Sequence, residues 1–160
     1  MLASVRHRLI GYVMALTASP TQFGVGLMAW WFASNGPGAY LTCPTMLADP
    51  MQMCTTEVLG IIPVTVNLCH MLCHLITGII GVIAVLRFNW ALWYALLGGL
   101  YYVAWGLAGI LGGVHVRHHL GVDAFGSWVH VIEGVILGGL WLVHRLTAAR
   151  SADAQQLGTF

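Results

Sequence analysis

The chain has 160 residues, of which 59% are hydrophobic and only 7% are charged, and its formal net charge is +1 at pH 7. Soluble globular domains carry about 25% charged residues, so this composition excludes an ordinary soluble domain and predicts an integral membrane protein. The small net charge and the lack of a basic run in the sequence argue against nucleic acid as a partner.

Four apolar windows predict four membrane-spanning helices, because each reaches the roughly 20 residues that a helix needs to cross the hydrocarbon core. These first to fourth predicted helices cover about residues 9–32, 63–86, 90–112 and 124–144. The expected fold is therefore all-α, a single polytopic four-helix transmembrane bundle over residues 1–160. Outer loops are expected at residues 33–62 and 113–123, and a mobile tail at 151–160.

The arginines predict the orientation of these helices. One side of the predicted membrane carries Arg6, Arg8, Arg87, Arg145 and Arg150, whereas Arg117 alone lies on the other side. Short loops that contain arginine are retained in the cytoplasm, so we expect a multi-pass protein of a bacterial plasma membrane with both termini cytoplasmic. The first outer loop would then be in an oxidising compartment, where Cys43 and Cys54 are expected to form a disulfide.

The second and fourth predicted helices carry the same spaced motif. A polar residue is followed by a histidine seven positions later and by a glycine four positions beyond that, as Asn67, His74 and Gly78 and again as Asp123, His130 and Gly134. This repetition predicts two related helical hairpins, first with second and third with fourth. Their symmetry axis could bring His74 and His130 face to face.

Histidines concentrate in the predicted outer half of the chain. His70 and His74 share one helix face because they are four residues apart. Imidazole nitrogens are ligands for copper and zinc, so this histidine cluster is a candidate metal-binding site. The candidate ligands are His70, His74, His115, His118, His119 and His130. Two of their spacings also resemble histidine boxes of membrane desaturases, although a third box is missing.

Two further interpretations concern the paired histidines. His74 and His130 could be the axial ligands of a haem, since both are expected at similar depth on neighbouring helices. Glu133 is an ionisable residue in an apolar helix, which is rare and commonly functional, and a proton relay through His74, Glu133 and His130 is one alternative. In the structural interpretation, Asn67 and Glu133 are buried polar groups that hydrogen-bond between helices, with Glu133 joining the fourth predicted helix to the second.

The repeated motif resembles an uncharacterised actinobacterial family of small four-helix membrane proteins, a domain of unknown function. Its members have an Asn or Asp, a His about seven residues later and a Gly four residues beyond that His, in both the second and fourth helices. The likeness covers about residues 60–146, and it implies an architecture and an actinobacterial host group without implying an activity.

Two functions are expected from these observations. The first is a non-catalytic accessory or scaffold subunit of a larger plasma-membrane complex, respiratory or transport in kind, because the sequence has no nucleotide-binding loop and no large soluble domain. Its partners would be the lipid bilayer and other membrane subunits. The alternative is an extracytoplasmic metal-binding or haem-binding membrane protein that uses the histidine cluster, with copper, zinc or haem as its cofactor.

Overall fold

The computed structural model describes residues 2–58 and 61–157, and these residues are mostly helical. The helices are α1 (Leu2–Thr17), α2 (Pro20–Thr42), α3 (Leu68–Ala84), α4 (Phe88–Leu111), α5 (Gly113–Leu120) and α6 (Ala124–Leu157). A short 3-10 turn, Pro44–Leu47, follows α2. Two antiparallel strands, β1 (Cys54–Val58) and β2 (Ile62–Val66), then form a hairpin that precedes α3.

The predicted four-helix transmembrane bundle is wrong. In the described part of the chain, two helical segments are long and apolar enough to cross a membrane, Phe88–Leu111 and Ala124–Ser151. The second predicted helix is shortened to the 17 residues of α3, because residues 63–66 belong to β2. Three of these residues, Val64, Thr65 and Val66, have β-branched side chains, which favour an extended strand over a helical turn.

The first predicted helix is divided into α1 and α2. Ser19 is the N-cap of α2, where its hydroxyl accepts a hydrogen bond from the Gln22 amide, and Pro20 begins the helix. Proline suits a first helical turn because it has no N–H to leave unpaired, but it cannot continue a preceding helix. Pro20 is expected from the sequence to kink the first predicted helix, and in the structure the chain breaks there into two helices.

The predicted loops and tail contain regular structure. The loop predicted at residues 33–62 holds the last turns of α2, the 3-10 turn and the hairpin up to the described limit, and the loop at 113–123 holds α5. α6 continues to Leu157, through most of the segment predicted as a mobile tail. Residues 158–160 of that tail lie outside the described residues.

Close helix packing forms the centre of the molecule. α2 packs along α3, and α4 packs along α6. A Cβ atom at Gly99 would lie 2.7 Å from the backbone nitrogen of Gly138, so the α4–α6 contact requires a residue without a side chain. Phe32 and Leu137 are fully buried between the two helix pairs.

The hairpin and α5 close one end of the helix pairs. The Cys43–Cys54 disulfide joins the end of α2 to β1, with 6.4 Å between the two Cα atoms. The Thr65 amide donates to Asp123 Oδ2 at 3.2 Å, which joins β2 to the start of α6. Gly121 has a φ of +65°, a conformation that glycine adopts without strain, and it packs against Asn67. These contacts fix the first turns of α3 and α6 beside each other.

Candidate metal centre

Three buried imidazoles converge where α3 and α6 meet. The Nε2 atom of His70 lies 2.9 Å from Nε2 of His74 and 3.2 Å from Nε2 of His130. His70 and His74 are one turn apart on α3, and His130 reaches them from α6. The ligand atoms of all three lie within 4.8 Å of one another. The structure therefore brings together His74 and His130, as the repeated motif predicts, and adds His70 between them.

The Nδ1 atoms of His70 and His130 have fixed hydrogen-bond partners. His70 Nδ1 lies 3.1 Å from the carbonyl oxygen of Leu120, which can only accept, so Nδ1 carries the proton. His130 Nδ1 lies 2.7 Å from Glu133 Oε2, and we assign its proton to Nδ1 in the same way. In neutral imidazoles, these tautomers leave a lone pair on Nε2 of both residues. Two lone pairs thus face each other over 3.2 Å, an arrangement that a cation between them would stabilise.

The separations between these nitrogens suit a bound transition metal. Three nitrogens at zinc–imidazole bond lengths of about 2.0–2.1 Å would be about 3.3–3.6 Å apart in tetrahedral or trigonal geometry. Two of the observed Nε2 separations, 2.9 and 3.2 Å, are shorter by a few tenths of an ångström. The third pair of ligand atoms, those of His74 and His130, lies within 4.8 Å. The rings must rotate to bring all three nitrogens to bonding distance of one ion.

Glu133 connects this cluster to α2. Its Oε1 atom accepts a hydrogen bond of 2.7 Å from the indole nitrogen of Trp31, while Oε2 faces His130. Each oxygen of the buried carboxyl therefore has its own hydrogen-bond donor. The sequence interpretation expected Glu133 to join the second predicted helix. Its interhelical partner is instead Trp31, from the first predicted helix, because the side chain turns toward α2.

Aromatic residues enclose the imidazoles. Tyr102 stacks on Phe32 at a ring-centroid distance of 4.3 Å and lies 5.4 Å from the His130 ring. Trp105 meets the edge of His70 at 6.0 Å. His70, His74 and His130 are only 3%, 8% and 4% exposed, so the cluster is largely shielded from water. Burial lowers the pKa of His70 and His74 and so favours the neutral form that binds metals.

The polar residues of the repeated motif cap the two helices that carry the imidazoles. Asn67 is fully buried at the start of α3, where its Oδ1 accepts from the His70 amide at 3.0 Å. Asp123 does the same for α6, accepting from the Gly126 amide through Oδ1. Side-chain oxygens at this position satisfy amides that have no partner within the helix. The motif therefore fixes where each helix begins, and hence where each histidine is placed.

The other candidate ligands lie elsewhere. His115, His118 and His119 are exposed on α5, and within the described ranges none of them belongs to the buried triad. His119 Nδ1 donates instead to the carbonyl of His115 at 2.9 Å. The sequence interpretation grouped them with the triad because their loop was expected near the outer ends of the second and fourth predicted helices. The short α5 helix directs their side chains away from it.

A haem does not fit between His74 and His130. Their ring centroids are only 5.2 Å apart, and His70 lies between them with a nitrogen that contacts each of the others. The cavity beside the three rings has a volume of about 50 Å³, whereas a porphyrin is far larger than the few waters that such a space holds. The three histidines are instead a group of ligands that could hold a single metal ion.

Trp31, Tyr102 and the Leu120 carbonyl are parts of the site that the sequence did not predict. Trp31 lies in a run of aromatic residues at the end of an apolar window, which is typical of membrane-interface anchors. A backbone carbonyl has no sequence signature at all. Among the groups that hydrogen-bond to the triad or enclose it, Glu133 alone was singled out in the sequence, as a carboxyl in an apolar helix.

Comparisons with protein-family models, with curated proteins and with solved structures find no match to this chain. The resemblance to an actinobacterial membrane family therefore stays a prediction.

Proposed function

We propose that this protein is a membrane protein that binds one transition-metal ion, zinc or copper, through His70, His74 and His130. The observation that carries the proposal is the convergence of three Nε2 atoms, together with the hydrogen bonds that His70 Nδ1 makes to Leu120 and His130 Nδ1 makes to Glu133. Metal-binding histidines generally have such partners, because a carboxylate or carbonyl on the far nitrogen fixes the tautomer and the ring orientation. Three imidazoles without a thiolate suit zinc or copper.

Exposed apolar side chains support the membrane part of the proposal. α4 exposes Trp93 and Leu100 at 61% each, and α6 exposes Ile132 and Val135 at 56% and 60%. Apolar faces this extensive on two long helices are stable in lipid and would promote aggregation in water. We assign the protein to a bacterial plasma membrane, which α4 and α6 cross, with the metal centre between α3 and α6.

Metal analysis of detergent-purified protein tests the proposal. We expect close to stoichiometric zinc or copper in the wild type, and loss of the ion in His70→Ala and His130→Ala. His118→Ala is the matched control, because His118 is an exposed histidine on α5. Circular dichroism of each variant would verify that the helices remain folded. The proposal is wrong if the folded wild type takes up no ion, or if His118→Ala loses as much metal as the triad variants.

The accessory-subunit role remains a separate proposal. Metal-free protein that co-purifies with larger membrane subunits, and that loses them when His74 or His130 is replaced, would favour it. In that case the hydrogen bonds of Trp31 and His130 to Glu133 would join α2 to α6, and the bond of His70 to the Leu120 carbonyl would hold α3 in place, without an ion.

A further inference from the structure

The proposed metal centre has three protein ligands, one fewer than a structural zinc site. Structural zinc sites have four protein ligands, whereas sites that bind water or substrate have three and keep a fourth position open. Among the described residues, the group of His, Cys, Asp and Glu side chains that could hold an ion contains only the three histidines. Glu133 is the nearest carboxyl, but both of its oxygens already accept hydrogen bonds, from Trp31 and His130.

Two cavities lie against the three imidazoles, and they differ in size. The larger has a volume of about 50 Å³ and is lined by Asn35, Met71, Val129 and Glu133 as well as by the triad. The smaller, of about 10 Å³, is lined by Cys73, Tyr102 and Trp105. One water requires about 10–15 Å³ by this measure, so only the larger cavity has room for a ligand of two or three atoms.

The repeated motif relates the larger cavity to a difference between α3 and α6. Asn67 and Asp123 occupy equivalent positions, so Gly126 of α6 is the equivalent of His70 of α3. Gly126 lines the larger cavity. The α6 position that corresponds to His70 therefore carries a glycine, and no fourth imidazole enters the cavity from it.

The charges at the site favour an anion. None of the three candidate ligands is a carboxylate or a thiolate. An ion held by imidazoles alone keeps its positive charge, which is costly in a buried site. A small anion bound to the metal would offset part of that charge.

We infer that the ion bound by His70, His74 and His130 keeps an exchangeable fourth position that faces the larger cavity and binds hydroxide or another small monovalent anion. This inference rests on the proposed function. It makes the centre a ligand-binding site and not only a structural link between α3 and α6.

Cobalt substitution with azide as the probe tests the inference. Co²⁺ replaces zinc in such sites and has a visible spectrum that changes when a ligand enters its coordination shell. We expect azide to shift the spectrum of the Co²⁺ form in a saturable manner. Asn35→Phe, which fills the larger cavity, should retain Co²⁺ but lose the azide response. Ser34→Phe is the matched control, since Ser34 is the exposed neighbour on α2.

The outcomes separate the two proposals. A Co²⁺ spectrum of the wild type that azide leaves unchanged overturns the open position and leaves metal binding intact. Failure to take up Co²⁺, zinc or copper overturns both. An azide response that persists in Asn35→Phe, or that Ser34→Phe also abolishes, shows that the ligand does not enter this cavity and overturns the inference as well.

Discussion

Replacing Glu133 with glutamine should weaken metal binding without removing any metal ligand. Glutamine has nearly the shape of glutamate, but only one of its two terminal atoms accepts hydrogen bonds. Glu133 accepts from both Trp31 Nε1 and His130 Nδ1, at 2.7 Å each. A tryptophan can only donate, so the glutamine oxygen is required there. The amide NH₂ then faces His130 Nδ1.

The effect on affinity follows from the tautomer of His130. An NH₂ group opposite Nδ1 donates to it, which moves the imidazole proton to Nε2 and removes the lone pair that binds the metal. If the glutamine turns over, its NH₂ group instead faces the Trp31 donor in a buried site. Loss of such a partner typically weakens metal binding about 10- to 100-fold, which corresponds to about 1.4–2.7 kcal/mol.

A competition titration measures this change. Zinc would be divided between the detergent-solubilised protein and a chromophoric chelator of known affinity, for the wild type, Glu133→Gln and Glu57→Gln. Glu57 is an exposed glutamate on β1, so its variant has the same charge change away from the triad. We expect only Glu133→Gln to lose affinity. Equal zinc affinity in Glu133→Gln and Glu57→Gln, with both variants folded, would refute the assigned tautomer and the role of the carboxylate.

Three further predictions concern stability. Gly78→Ala should destabilise the fold by about 1–3 kcal/mol, because the added Cβ would overlap the Ala33 backbone. Gly139→Ala should be neutral or slightly stabilising, because its Cβ meets open space. Thermal unfolding of both variants measures the difference. Removing the disulfide in Cys43→Ala/Cys54→Ala, which releases a loop with a sequence separation of 11, should cost about 3 kcal/mol, and a reductant should lower the melting temperature of the wild type but not of the double variant. Chelation of the metal should lower the melting temperature of the wild type, since an ion at 100 times its Kd adds about 2.7 kcal/mol to the free energy of unfolding. His130→Ala is the control, because chelation should leave its melting temperature unchanged.

The sequence predicts the helical class and part of the site for a clear reason. Equal spacing of a helix cap, a histidine and a glycine specifies where a helix starts, which face carries the imidazole and where a neighbouring helix approaches. In the structure, Asn67 and Asp123 cap their helices, and Gly78 and Gly134 meet the backbones of α2 and α4. Local rules of this kind are readable from one chain.

The number of membrane-spanning helices could not be obtained in this way. Hydropathy does not distinguish a helix from a strand within a short apolar run, and the residues of β2 are as apolar as those of α3. Residues 62–66 form a strand because β2 pairs with β1, and β1 lies before the apolar window. Similarly, the break before Pro20 depends on the Ser19 cap, which an average over 20 residues conceals.

The composition of the site depends on the differences between the two halves of the repeat. His70 in α3 corresponds to Gly126 in α6, and Thr77 corresponds to Glu133. Thr77 hydrogen-bonds to Tyr102 at 2.7 Å, whereas Glu133 bonds to Trp31 and supports His130.

A symmetric site would have four imidazoles or two. Glycine in one half leaves three imidazoles, and glutamate in the same half accepts the hydrogen bonds of His130 and Trp31. The repeat therefore accounts for the position of the histidine cluster, and its asymmetry leaves the three-ligand arrangement from which we infer an open fourth position.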